Sequence, residues 1–166
     1  MRDKIFSIST IPGDGIGSDI IESATTIVDK AASIIGGFQC NWDYIKAGAM
    51  YYKETGSDVE IGGEEKADKS DAIFLGAIGL PNIRKEDGTE IAPHLRFREK
   101  FGLYAGVRPV KAYPNSPQKL KDGNSNKINL VILRECTEGL FYTASVHNRN
   151  PVANDDEVHD VMKITR

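Results

Sequence analysis

With 166 residues, 40% of them hydrophobic and 27% charged, the chain is long enough for a packed core and has the balance of a globular protein rather than a disordered or fibrous one. A formal net charge of -3 at pH 7 argues against a nucleic-acid or anionic-membrane surface, so any positive site has to be a local cluster. Cys40 and Cys136, widely separated, make neither a disulfide framework nor a metal-ligand pair, and no apolar run has signal-peptide or membrane-spanning length; the expectation is a reducing, cytoplasmic setting.

Lys4 to Thr10 alternates polar residues with Ile5, Phe6 and Ile8 and reads as a first strand. Ile11-Pro-Gly-Asp-Gly-Ile-Gly17 breaks it, and Ser18 or Asp19 is placed to cap a helix from about Asp19 to Ile35, with Ile20, Ala24, Ile27, Val28, Ala31 and Ile34 on one face and Gly36-Gly37 as its stop. A strand, glycine turn and helix open an α/β unit, and such turns set amides near a helix N-terminus where anions bind. The spacing is not Gly-x-Gly-x-x-Gly, so a tight turn without a ligand stands level with a nucleotide-binding one.

Phe38 to Ile45 alternates as a second strand, Ala47 to Glu54 reads as a short helix ended near Gly56, and Glu64 to Ser70 as a polar, exposed helix. Asp71 to Gly79 reads as a buried strand opening into another glycine turn. Strands alternating with helices imply a mainly parallel sheet with right-handed crossovers.

A polar loop, Pro81 to Thr89, precedes Leu95 to Val110, where Arg96, Arg98 and Arg108 stand among apolar residues. Tyr113 to Asn126, with two prolines and three asparagines, reads as a surface excursion. Ile128 to Leu133 reads as a buried strand that delivers Arg134 at its end. Arginines in mixed sequence are commonly solvated, but a guanidinium in Val-Arg-Pro or closing an apolar strand must find an anion if it is buried. Arg98, Arg108 and Arg134 are therefore the expected clamp of a small, multiply anionic substrate. Asp155 to Arg166 begins a helical pattern with Val158, Val161, Met162 and Ile164.

Four motifs in order, Ile-Pro-Gly-Asp-Gly-Ile-Gly at 11 to 17, Phe-Leu-Gly-Ala-Ile-Gly at 74 to 79, Leu-Arg-Phe-Arg through Val-Arg-Pro at 95 to 109, and Leu-Arg-Glu-x-Thr-Glu-Gly at 133 to 139, give the chain a likeness to a known family. It resembles the β-decarboxylating dehydrogenases of isopropylmalate, isocitrate and tartrate. The resemblance implies an isopropylmalate/isocitrate dehydrogenase-like α/β fold, a mainly parallel sheet with flanking helices that is incomplete without a C-terminal half. Residues 1–99 would be the first part of a discontinuous nucleotide-binding domain and 100–166 the start of a substrate and dimerisation domain, in a homodimer when full length.

The activity so implied is NAD- or NADP-dependent oxidation and β-decarboxylation of a malate-type 2-hydroxy acid. By the same likeness Arg98, Arg108 and Arg134 hold the substrate's carboxylates, His94 and Leu95 lie in the turn that selects it, and Arg96 is solvated. His94 is either a specificity contact or a solvated side chain. Ile11, Gly13, Asp14, Gly15, Gly76, Ala77 and Ile78 would meet the cofactor. Mg²⁺ or Mn²⁺ would find its ligands beyond residue 166, Glu135 being the one acid beside the clamp and too little for a tight divalent site.

Two departures matter. The family's catalytic tyrosine position is Phe141, whose ring has no proton to give, and Tyr142, its neighbour, is the remaining candidate. The chain is also about half the family's length, so the expectation is an N-terminal portion that is inactive by itself, with apolar side chains left facing solvent. A truncated relative that binds a dicarboxylate or a partner chain without catalysis is the alternative.

Overall fold

The computed structural model describes residues 4–115, 117, 120–139, 141, 162 and 164–165. The chain divides into two compact units, residues 1–95 and 96–166, with the break ahead of the expected 99/100 boundary and inside a helix. Apart from residues 162, 164 and 165, the helical pattern expected over 155–166 lies outside the described residues, as does Tyr142.

In the first unit, β1 (Lys4–Gly13), α1 (Gly17–Ile35), β2 (Phe38–Tyr44), α2 (Ala49–Thr55), α3 (Gly63–Lys69) and β3 (Ala72–Ala77) follow one another. The sheet has the order β2-β1-β3, with both pairings parallel. β1 is thus the central strand, and α1 packs against all three strands. Ile11, Ile21, Ile45 and Ile91 are the largest apolar side chains sealed in this core.

Three expectations are corrected here. α1 starts ahead of Asp19: Ile16 takes helical dihedrals at the N-cap, Gly17 donates its N–H to the Asp14 carbonyl, and no side chain caps, so Ser18 and Asp19 lie within the first turn. The buried stripe is Ile21, Thr25 and Ala32, with Val28 half-buried and Ile20, Ile27 and Ile34 outward. Thr25 joins the buried side because its hydroxyl donates to the Ile21 and Glu22 carbonyls of its own helix, which satisfies the polar group. β3, expected to be buried, is half-exposed because it is an edge strand of this three-stranded sheet. The helix stops are as read: the Gly36 N–H returns to Ala32 and the Gly56 N–H to Tyr52.

Helix α4 (Pro93–Lys100) crosses the boundary between the units, with proline in its first position, where a missing N–H costs nothing. The second unit then carries β4 (Ala105–Lys111), a 3-10 segment at Lys121–Lys127 within the expected surface excursion, and β5 (Asn129–Glu135). β4 and β5 form an antiparallel two-stranded ribbon with Ala105 opposite Glu135 and Lys111 opposite Asn129. The apolar run Ile128 to Leu133 is not a buried strand: every residue of β5 is exposed, Leu133 at 72%, because no second layer covers the ribbon among the described residues. Apolar side chains face solvent on both ribbon faces, at Val107, Val110, Val131 and Ile132.

Candidate functional site

Two places assemble the residues singled out by the sequence, and each lies within one unit. The first is the carboxyl edge of the parallel sheet. Because β1 and β3 run parallel with Gly13 opposite Ala77, the two glycine turns leave the sheet on the same side, where open α/β sheets bind their ligands.

The turns are held by buried hydrogen bonds and close backbone approach. Asp14 is 3% exposed, and its carboxylate accepts N–H bonds from Ala49 at 2.8 Å, Met50 at 2.8 Å and Gly79 at 2.7 Å. It is therefore an anion held at the N-terminus of α2 and tied to the second glycine turn, a carboxylate doing for this chain what a bound phosphate does elsewhere. Ile11 is 0% exposed, so its side chain belongs to the core and is out of a ligand's reach. Gly13 and Gly76 serve close backbone approach: a Cβ on Gly13, whose φ is +77°, would sit 2.0 Å from the Ala77 carbonyl oxygen, and one on Gly76 would sit 2.3 Å from that of Pro12. Gly15 and Ile16 form the exposed rim of the turn, and Ala77 and Ile78 are half-buried beside it.

The second place is the β4–β5 ribbon. Opposite residues share a face and side chains alternate, so Gly106, Arg108 and Val110 lie on one face with Arg134, Ile132 and Leu130. Arg108 and Arg134 are thus diagonal neighbours, with Cα atoms about 7–8 Å apart by ordinary sheet geometry. Gly106, opposite Arg134, adds no side chain to that face; a Cβ there would meet Cys136 Sγ at 3.0 Å. Arg98, on α4, is brought to the same end of the ribbon through the backbone. The Leu103 N–H donates to the Arg98 carbonyl at 2.8 Å and the Cys136 N–H to the Tyr104 carbonyl at 2.8 Å, which stitches the end of α4 to the end of β5. Among the described residues, none of the three guanidinium groups has a carboxylate partner. Arg84, by contrast, is paired with Glu90 at 2.9 Å.

The other predicted residues are placed less tellingly. His94 is half-buried and Leu95 exposed in the first turn of α4. Arg96, expected to be solvated, is half-buried, as happens when a long alkyl stem lies along a neighbouring surface. Cys40, on β2, is half-buried; burial first and the Asp29 carboxylate second push its thiol up, so it stays protonated.

Glu135 turns its carboxylate onto its own chain, accepting from the Thr137 N–H and hydroxyl and from the Glu138 N–H at 2.6–2.9 Å. The slight burial pushes the carboxyl up, but these hydrogen bonds outweigh it and hold it below the usual carboxylate range. A depressed folded value means that the turn's contribution is whole above the ordinary glutamate range and is lost as pH falls through the folded value. An acid titration followed by NMR should move the Thr137 and Glu138 amide protons with a midpoint below that of an unperturbed glutamate; a midpoint above it would contradict the capped turn.

Phe141 is a neighbour of Arg134 that the sequence did not reveal: the Arg134 guanidinium carbon lies over its ring, 4.9 Å from the centroid. The pair Arg134 and Phe141 is seven residues apart across a turn, and no periodicity reports such a contact.

The profile of the isocitrate/isopropylmalate dehydrogenase family matches residues 7–166. A probable tartrate dehydrogenase/decarboxylase of Agrobacterium vitis is 32% identical over 136 residues, covering 82% of this chain and 38% of the relative. A 3-isopropylmalate dehydrogenase of Bifidobacterium longum is 35% identical over 167 residues, covering 98% of this chain and 47% of the relative. Among solved structures, the isocitrate dehydrogenase of Methylococcus capsulatus matches with a TM-score of 0.68 at 26% identity, over 96% of this chain and 43% of its own. The chain thus spans less than half the length of these relatives. Two glycine turns on one sheet edge and arginines sharing one ribbon face, under a family profile that runs from Ser7 to the last residue, place this chain in the isocitrate/isopropylmalate dehydrogenase family.

Proposed function

We propose that the chain supplies the anion clamp and one cofactor-facing edge of an NAD- or NADP-dependent dehydrogenase that oxidises and decarboxylates a malate-type 2-hydroxy acid. The observation that carries this reading is the shared ribbon face of Arg108 and Arg134, without carboxylate partners among the described residues, in a chain that holds 24 acidic residues against 21 basic ones. Guanidinium groups with no carboxylate partner among the described residues suit an anion that arrives from outside. A dicarboxylate meets two forks at once, and Arg98 is the third donor from the adjoining helix end. The relatives named for tartrate and isopropylmalate act on acids of this type.

The sheet edge suits a nicotinamide dinucleotide at its rim. Gly15 is exposed, and the nearest heavy atom to a Cβ placed there would be Leu80 Cδ2 at 3.9 Å, so the backbone of Gly15 and Ile16 is open to a ligand, with Ala77 and Ile78 flanking. A bound nicotinamide would accept the hydride from the hydroxyl-bearing carbon. A divalent ion does not fit the described residues: no group of three or more His, Cys, Asp or Glu is disposed to hold one, and Glu135 is committed to its own turn. The Mg²⁺ or Mn²⁺ ligands on this reading lie in the remainder of the family fold.

The test supplies the chain with that remainder, as the C-terminal part of the Bifidobacterium longum relative, together with NAD or NADP, Mg²⁺ and a panel of D-malate, tartrate, isopropylmalate and isocitrate. Reduced nicotinamide is expected with at least one acid, and none from the chain alone. Saturable acid binding without turnover in any combination would make the chain a dicarboxylate-binding relative, and absence of both binding and turnover would overturn the proposal.

A further inference from the structure

We infer that Phe141 is a positioning residue for Arg134, an aromatic platform that sets the plane of the guanidinium so that its N–H edge faces the dicarboxylate; this rests on the substrate reading above. Arg134 is exposed on a two-stranded ribbon, and a solvated arginine there would sample many rotamers, each to be given up when a carboxylate binds. The Phe141 ring lies under the guanidinium carbon at 4.9 Å and is itself half-buried, so it is a fixed surface rather than a free side chain.

The chemistry of the contact suits the task. A carboxylate partner would orient Arg134 by occupying its N–H groups, whereas a ring engages the flat face through its π-electrons and leaves the five donors in the plane free. Gly106, opposite Arg134 on the ribbon, adds no side chain on that face, and Arg108 stands diagonally beyond it. A phenyl group neither donates a hydrogen bond nor titrates, so the platform holds at every pH.

The test uses NMR of the arginine Nε–Hε resonances in the full 166-residue chain, titrated with D-malate, with Arg134 assigned by its disappearance in Arg134→Lys. In the unmodified chain the Arg134 Hε resonance is expected upfield, displaced by the ring current, and to move further with malate. Phe141→Leu should return that resonance to the position of an unstacked arginine and weaken malate binding roughly two- to five-fold, the range of an exposed cation–π contact. Phe141→Trp, which restores a ring, should rescue both, while Arg108→Gln should weaken binding and leave the Arg134 resonance in place. A Phe141→Leu chain whose Arg134 resonance does not move overturns the platform, and one whose resonance moves while malate affinity holds overturns the positioning role. If the unmodified chain shows the upfield resonance but no response to malate, the substrate reading fails, and the positioning role with it, while the stack itself stands.

Discussion

Arg134→Gln is expected to weaken D-malate binding by roughly 10- to 100-fold. A fork of charge-assisted hydrogen bonds to a carboxylate is worth about 1.5–3 kcal/mol, and each 1.4 kcal/mol is a factor of about ten. Arg134→Lys keeps the charge and loses the planar fork, so its loss should be intermediate. Arg108→Gln should cost as much as Arg134→Gln, because the two occupy diagonal positions on one ribbon face, and the double variant should lose less than the sum, since both arginines address one ligand. Arg96→Gln is the control: it is half-buried on α4 outside the clamp, and binding should stay within about twofold. Isothermal titration of the five variants decides the matter, and an Arg134→Gln chain that binds malate as tightly as the unmodified one would remove the clamp from the site.

Asp14→Ala carries the largest expected loss of stability, about 3–5 kcal/mol by urea unfolding. Three backbone N–H groups donate to this buried carboxylate, from Ala49, Met50 and Gly79, and each would lose its acceptor, that of Ala49 in a buried setting and the other two in part-buried ones. The loss is smaller than the sum of three charge-assisted bonds because they share one side chain. Asp14→Asn keeps one acceptor oxygen but turns an NH₂ toward N–H donors, and about 2–4 kcal/mol should go with it. Against a domain stability of about 5–15 kcal/mol, either change removes a large share. A loss below about 1 kcal/mol for Asp14→Ala would show that water takes over as acceptor and that the residue is not the tie it resembles here.

Strands, helix stops and glycine turns were legible because each is encoded locally. The alternation at Ile5, Phe6 and Ile8 gives β1, and Gly36 and Gly56 end α1 and α2 where a helix must close its last carbonyls. The buried stripe of α1 was misread because the helix carries two apolar rows, and the choice between Ile20 and Ile21 is made by the sheet beneath, not by the period. β5 was misread for a related reason: an unbroken apolar run says that a strand suits burial, while the cover itself comes from other parts of the fold. At the site, the arginines could be named from charge and context, and their common face follows from the Arg108 and Arg134 register, which no local rule sets. The three N–H partners of Asp14 could not be read from the sequence because they lie 35 and more positions away, and only the folded backbone discloses them.

The central place of β1 has a consequence for the order in which the molecule is made. Both of its neighbours, β2 and β3, end by Ala77, and so does the strand register that aligns the two glycine turns. A chain leaving the ribosome from its N-terminus has all three strands of this sheet available before any of the arginines after Arg84 has been added. The sheet edge that carries both glycine turns can therefore form while the arginines of the ribbon are still unsynthesised, and among the described residues its two outer strands are each paired on one side only.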